Sequence, residues 1–201
     1  MTVNKFFALK IYNAVINTAT RIYLMANMKT MFINPRKYPV PHGTIIIRQM
    51  NTKDLTDVID IFYNSFNHLS AEEQNQYAEE MKKYVYKYPA INSVAEFEGK
   101  IVGFITSVPR LHLSKKGIEI HLNITWMAID SNYRGLKISN EMLDYLLYVG
   151  SAMRNIKKIM TQTNVTNIPA IKAYEKLGFS HTKILPEFIN KEDGIKLEKI
   201  I

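Results

Sequence analysis

A chain of 201 residues is long enough to bury a sizeable core, and it suits one domain rather than several. It has no cysteine, which excludes disulfides, cysteine nucleophiles and thiolate metal sites; its five histidines (His42, His68, His112, His121, His181) lack metal-ligand spacing, so no metal is expected. The net charge of +8 arises wholly within residues 1–53, which hold eight of the 26 basic residues and no acid, while the remainder balances 18 basic against 18 acidic residues; no basic stripe marks a recognition element, and no nucleic-acid ligand is expected.

Residues 6–28 contain neither Gly nor Pro and predict a basic amphipathic helix. Lys10, Asn13, Asn17 and Arg21 share one side, and Ile11, Tyr12, Val15, Ile16, Ala19, Ile22 and Tyr23 the other. Only ten uncharged residues separate Lys10 from Arg21, too few to span a membrane, and no small-residue cleavage site marks a secretory signal. Three readings stay open. The helix packs on its own domain or on a partner subunit, as in a homodimer. Alternatively it makes peripheral membrane contact or directs the chain to an organelle. In the third, the start lies too early, since Met25, Met28 and Met31 all precede the domain. The cytoplasm is the expected compartment.

Asn34-Pro35 through Pro39, Pro41 and Gly43 punctuates the chain as a linker, dividing residues 1–43 from a domain at 44–201. Thr44–Gln49 is the first expected strand. Thr52 is expected to cap a helix over 53–66, and Ser70 with Glu73 forms a capping box that opens a second helix to about Lys87. The Tyr77, Met81, Tyr84, Val85 and Tyr88 face of that helix reads as core or as the wall of a cleft. Residues 93–98 and 101–113 follow as a hairpin.

From 118 to 129, alternation of Ile118, Ile120, Leu122, Ile124, Trp126 and Ala128 predicts a strand with one buried face. Asp130-Ser131-Asn132 ends it, and Arg134-Gly135 leads into a helix from Ile138 with apolar residues at 138, 142, 143, 146 and 147. A further strand, a short helix ending at Gly178 and a terminal hairpin around Gly194 complete an α/β (α+β) fold, a mixed, mostly antiparallel sheet flanked by helices. A strand that reaches a helix N-terminus through a basic, Gly-containing turn directs free N–H groups and the positive helix end at one point, which suits phosphate. No Gly-x-Ser-x-Gly, Walker or Gly-x-Gly-x-x-Gly pattern occurs.

Trp126-Met127-Ala128-Ile129-Asp130, then Tyr133-Arg134-Gly135-Leu136-Lys137-Ile138-Ser139, then Asn167 through Ala170 and Tyr174 to Gly178-Phe179 resembles the GNAT superfamily of acyl-CoA N-acyltransferases. The family pattern is Arg/Gln-x-x-Gly-x-Gly/Ala at the helix start, followed by Asn-x-x-Ala-x-x-x-Tyr-x-x-x-Gly-Phe. The second half matches throughout; in the first, Lys137 replaces the central Gly and Ser139 stands for Gly or Ala.

The resemblance implies acetyl-CoA as co-substrate and direct transfer of acetyl to a primary amine. The strand edge at Met127, Ala128 and Ile129 would hold the pantetheine arm, and N–H groups of Arg134, Gly135, Leu136, Lys137, Ile138 and Ser139 the pyrophosphate. Asn167 would touch pantetheine and Tyr174 would protonate the leaving thiolate. For the base, His121, Asn123, Thr125 and Met127 are expected to project together. Asn123 stands where relatives carry Glu or His and would position a water, through which His121 would act; His112 and Glu119 are poorer candidates. The acceptor is a small-molecule or peptide amine. Thr161-Gln162-Thr163-Asn164 before Asn167-Ile168-Pro169-Ala170 resembles the branch acting on nucleotide-linked amino-sugars, while protein amines and polyamines stay open. A non-catalytic acyl-CoA-binding protein is the competing reading, resting on Asn123 and Lys137.

Overall fold

Alternating apolar residues build one eight-stranded sheet, seen in a computed structural model that describes residues 33–114, 117–153, 156–189 and 192–201. The strands are β1 (Arg36–Val40), β2 (Gly43–Gln49), β3 (Ser93–Phe97), β4 (Lys100–Ser114), β5 (Gly117–Ile129), β6 (Ile156–Asn164), β7 (Ser180–Ile189) and β8 (Glu192–Ile200). Their order is β1-β2-β3-β4-β5-β6-β8-β7, and every pairing is antiparallel except β5 with β6. The helix expected over 6–28 lies outside the described residues. Among those residues, no helix is long and apolar enough to cross a membrane.

Among the described residues four α-helices cover the sheet: α1 (Leu55–Ser65), α2 (Ala71–Lys87), α3 (Ile138–Ala152) and α4 (Ile168–Lys176). On one face α3 and α4 bury Met142, Leu143, Tyr145, Leu146, Ile171 and Tyr174 against Ile47, Ile105, Ile120, Leu122 and Ile159. On the other, α1 and α2 bury Val58, Phe62, Met81 and Val85 against Val94, Phe104 and Ala128.

Two local expectations are corrected. Residues 36–40, read as linker, form β1 and pair with β2, so the sheet begins ahead of residue 44 and has an eighth strand. An edge strand tolerates Pro39, which has no N–H to give a ladder. Arg36 then ties β1 to α3, pairing with Asp144 at 2.8 Å and stacking 4.0 Å over the Tyr148 ring. The first helix is capped by Asn51 rather than Thr52. Asn51 Oδ1 accepts the Lys53 N–H at 2.8 Å and the Asp54 carboxylate takes the Asn51 N–H at 2.8 Å, making one short 3-10 turn before α1. Asp54 also accepts both Nη groups of Arg48 at 2.8 and 2.9 Å, which locks the start of α1 to β2.

The third correction decides the site. Thr106 pairs with Trp126 but Ser107 pairs with Ile124, so Thr125 is an extra residue in β5. Its Oγ1 donates to the Thr106 carbonyl at 3.0 Å, and the freed Ser107 N–H is caught by buried Asn92 Oδ1 at 2.7 Å. A one-residue bulge exchanges the two faces of a strand. Ile120, Leu122 and Ile124 pack under α3, whereas Trp126 and Ala128 pack under α1 and α2. The single buried face expected for 118–129 is two half-faces.

Candidate active site

The parallel ladder between β5 and β6 runs from Ile120 with Ile156 to Asn123 with Met160 and stops. Beyond it β6 continues on β8 through Asn164 while β5 continues on β4, so the two strands part. A cavity of about 460 Å³ occupies the opening. Ile124–Met127 line it from β5, Thr161–Asn164 from β6, and Asn167, Ala170 and Tyr174 from α4. Phe66, His68, Leu69 and Tyr77 reach it from the α1–α2 elbow, and Phe188 from the β7–β8 hairpin. Because Met127 and Tyr174 belong to the α3–α4 core and Phe66, Tyr77 and Trp126 to the α1–α2 core, the cavity is a slot through the sheet.

Tyr174 is 4% exposed; its hydroxyl accepts from Thr161 Oγ1 at 3.4 Å and its ring meets Phe179 edge-on at 5.3 Å. Burial raises the hydroxyl's pKa above 10.0, only partly countered by Thr161, so the group is protonated and able to donate at neutral pH. Asn167 caps α4: its Oδ1 accepts the Ala170 N–H at 3.4 Å and its Nδ2 donates to Thr163 Oγ1 at 3.0 Å. Asn164 Nδ2 donates to Glu192 at 3.0 Å, but its Oδ1 is buried with no partner. An orphaned acceptor in a cavity wall suits an amide N–H from a ligand.

At the far end of β5, Asp130 Oδ1 accepts the Asn132 N–H at 2.9 Å, and the chain turns through Gly135 (φ 82°) into α3. Lys137, the N-cap, has φ 60° and ψ 14°, and no side chain caps the helix. The N–H groups of Ile138 and Ser139 have no carbonyl a turn earlier, so the helix head is a donor cluster aimed outward. The side chains of Ala128 and Ile138 are buried, so those two positions offer backbone alone. None of residues 134–139 lines the cavity itself. A slot lined by Met127, Asn167 and Tyr174, with a separate helix head of uncapped N–H groups after β5, has room for a long ligand with an acyl end and a phosphate end.

The bulge separates the expected base candidates from the site. His121 and Asn123 alternate with Ile120, Leu122 and Ile124, and neither lines the cavity. His121 is 6% exposed, stacks on His112 at 4.7 Å and lies 3.5 Å from Glu119. Burial chiefly lowers its pKa below 6.5, with His112 and Lys158 adding and Glu119 opposing. The expectation that His121, Asn123, Thr125 and Met127 project together is corrected.

His68 is the histidine that faces the cavity, and sequence reasoning passed over it. Its signal was its place between the apolar end of one helix and the capping box of the next. Phe66, Leu69 and Phe188 were missed too, because isolated apolar residues at element ends read as core; the Tyr77 helix face was marked as a cleft wall. Among the described residues no group of three His, Asp or Glu side chains is placed to hold a metal.

The family model described as Acetyltransferase (GNAT) family matches residues 55–179. An N-alpha-acetyltransferase of Sulfurisphaera tokodaii is 30% identical over 148 residues, covering 67% of this chain and 81% of that protein. A solved structure of the NatC complex bound to Gag peptide and CoA superposes with a TM-score of 0.67 at 17% identity, over 78% of this chain and 98% of that one. Arabidopsis thaliana Naa50 in complex with the bisubstrate analogue CoA-Ac-MVNAL superposes with a TM-score of 0.63 at 20% identity, over 77% and 97%.

Proposed function

As a member of the acetyltransferase (GNAT) family the chain is an acetyl-CoA-dependent N-acetyltransferase, and we propose that its acceptor is the α-amino group of a protein or peptide. The observation that carries this is the kinship with the Sulfurisphaera N-alpha-acetyltransferase across four-fifths of that protein's length. The slot agrees with it, since a chain terminus lying on the α1–α2 face can pass its amine through to a thioester entering from the α3 side. The nucleotide-linked amino-sugar acceptor rested on residues 161–164 and 167–170, whereas the kinship with an N-alpha-acetyltransferase favours a peptide amine.

Bound acetyl-CoA supplies the acetyl group as an activated thioester; a protonated amine and the thioester give amide, free thiol and one proton. The helix head at Lys137–Ser139 holds the pyrophosphate, and Asn164 Oδ1 accepts an amide N–H of the pantetheine arm. His68 takes the first proton from the entering ammonium, making the amine nucleophilic, and passes it to solvent. Backbone N–H at the β5 edge beside Met127 polarises the acyl carbonyl. Tyr174 donates its proton to the departing sulfur and is recharged by the second proton of the amine.

The experiment is acetyl-CoA turnover against free-N-terminus peptides, an Nα-blocked peptide carrying lysine, a polyamine and a nucleotide amino-sugar, with products identified by mass. Acetylation at the α-nitrogen of free peptides is expected. Transfer confined to the polyamine or amino-sugar overturns the proposal, and acetyl-CoA binding without thiol release on any amine favours a non-catalytic role.

A further inference from the structure

The end of the slot under α1 and α2 has a chemistry that selects among acceptors. Its walls are Phe66, His68, Leu69, Tyr77, Trp126 and Phe188, and among the described residues no Asp, Glu, Lys or Arg lines the cavity. These walls are held rigidly. The Trp126 ring is packed by Phe62 at 5.0 Å, Phe66 at 4.9 Å and Tyr77 at 4.9 Å. Gln74 Nε2 donates to the carbonyls of Tyr63 and Phe66 at 3.2 and 2.9 Å, and the Ser70–Glu73 capping box fixes the elbow that carries Leu69. Across the slot, the register slips between Leu185 and Ile189, and Asp193 Oδ1 accepts the Glu187 N–H at 3.2 Å. Phe188 is thereby laid on Gly194, so closely that a Cβ there would meet its ring at 2.5 Å.

We infer that this wall receives the first side chain of the acceptor and that the enzyme takes chain termini whose first residue is large and apolar. The inference rests on the α-amine reading above. A charged first side chain would shed its water against these aromatic and aliphatic walls, where His68 is already engaged by the amine, whereas a small one would leave the aromatic surface wet. A Leu, Met or Phe side chain removes that surface from water and brings its own amine towards Met127 and Tyr174.

The test uses the full chain and peptides that differ only at their first residue: Leu, Met, Phe, Gly, Asp and Lys. Trp126 is the sole tryptophan of the sequence and lies in the wall, so its emission reports acceptor binding without turnover. Tighter emission titrations and at least about tenfold higher kcat/KM are expected for Leu, Met and Phe over Gly, Asp and Lys. Leu69→Asp should shrink that ratio, and Phe188→Ala, at a wall position on a surface hairpin, should do the same if Leu69→Asp does not fold. Peptides all accepted at equal rates, or best with Gly or Asp first, overturn the inference and leave the α-amine reading standing. No transfer to any peptide, with transfer to a non-peptide amine, overturns both.

Discussion

Lys137 occupies the left-handed backbone region at the head of α3, with φ 60°. That explains why the family pattern has glycine there: the turn asks for a conformation glycine adopts freely and other residues at a cost of about 1–2 kcal/mol. The exposed ammonium can offset some of that by meeting phosphate. Lys137→Gly should therefore raise the melting temperature of the ligand-free protein by a few degrees, while weakening acetyl-CoA severalfold in calorimetry. Unchanged affinity would remove the lysine from the phosphate site. Tyr174 makes a sharper test, because burial keeps its hydroxyl protonated. Tyr174→Phe should lower kcat at least about tenfold with acetyl-CoA affinity retained; an equal loss of affinity would make the residue structural. His121 carries a pH prediction. Its folded pKa lies below 6.5, so the unfolded chain binds the proton more readily and stability falls as pH falls through that value. Melting temperatures of wild type and His121→Asn, compared from roughly pH 7.5 down to pH 5, should show a shallower decline in the variant. Equal slopes would sink the argument.

Among the elements, the Thr125 bulge is where sequence reasoning and structure part. An added residue leaves apolar alternation in the sequence intact while exchanging which helices each residue meets, so Ile124 and Trp126 look alike and lie on opposite faces. Helix starts were legible to within a residue, because Ser, Asn and acidic residues at fixed offsets satisfy specific N–H groups: Ser70 with Glu73 was found, and Asn51 was displaced by its neighbour Thr52. β1 was hidden by Pro39 and Pro41, which mark a linker and are equally at home on an edge strand. Phe188 was illegible because only the register slip in β7 turns it into the slot. Gly194→Ala tests that hairpin. The new methyl cannot share space with the Phe188 ring, and such overpacking costs about 1–3 kcal/mol. Phe188 should swing from the wall, so that peptide titrations of Trp126 emission weaken severalfold and calorimetric acetyl-CoA affinity is kept. Unaltered peptide binding would mean that Phe188 does not shape the acceptor end.

For the molecule as a whole, the sheet is one body with a gap in its β5–β6 ladder, and residues of both cores line that gap. Asn167 and Tyr174 were legible as neighbours, being two turns apart on one short helix, and both line the cavity. The acceptor side was not, since its walls come from three elements distant in sequence and joined only by the fold. A ligand in the gap would take the place of the missing strand pairing, touching β5 after Asn123 and β6 after Met160. Acetyl-CoA should then stabilise the whole fold by linkage. At a free concentration about 100 times its Kd the gain is about 2.7 kcal/mol, a rise of roughly 5–10 °C for a chain of this size. Hydrogen exchange locates the effect: amides over residues 124–129 and 161–164 should gain protection first, with the β1–β2 hairpin following only the global change. A rise in melting temperature without protection at those two strand ends would place the ligand elsewhere and disconnect the gap in the sheet from the transferase chemistry.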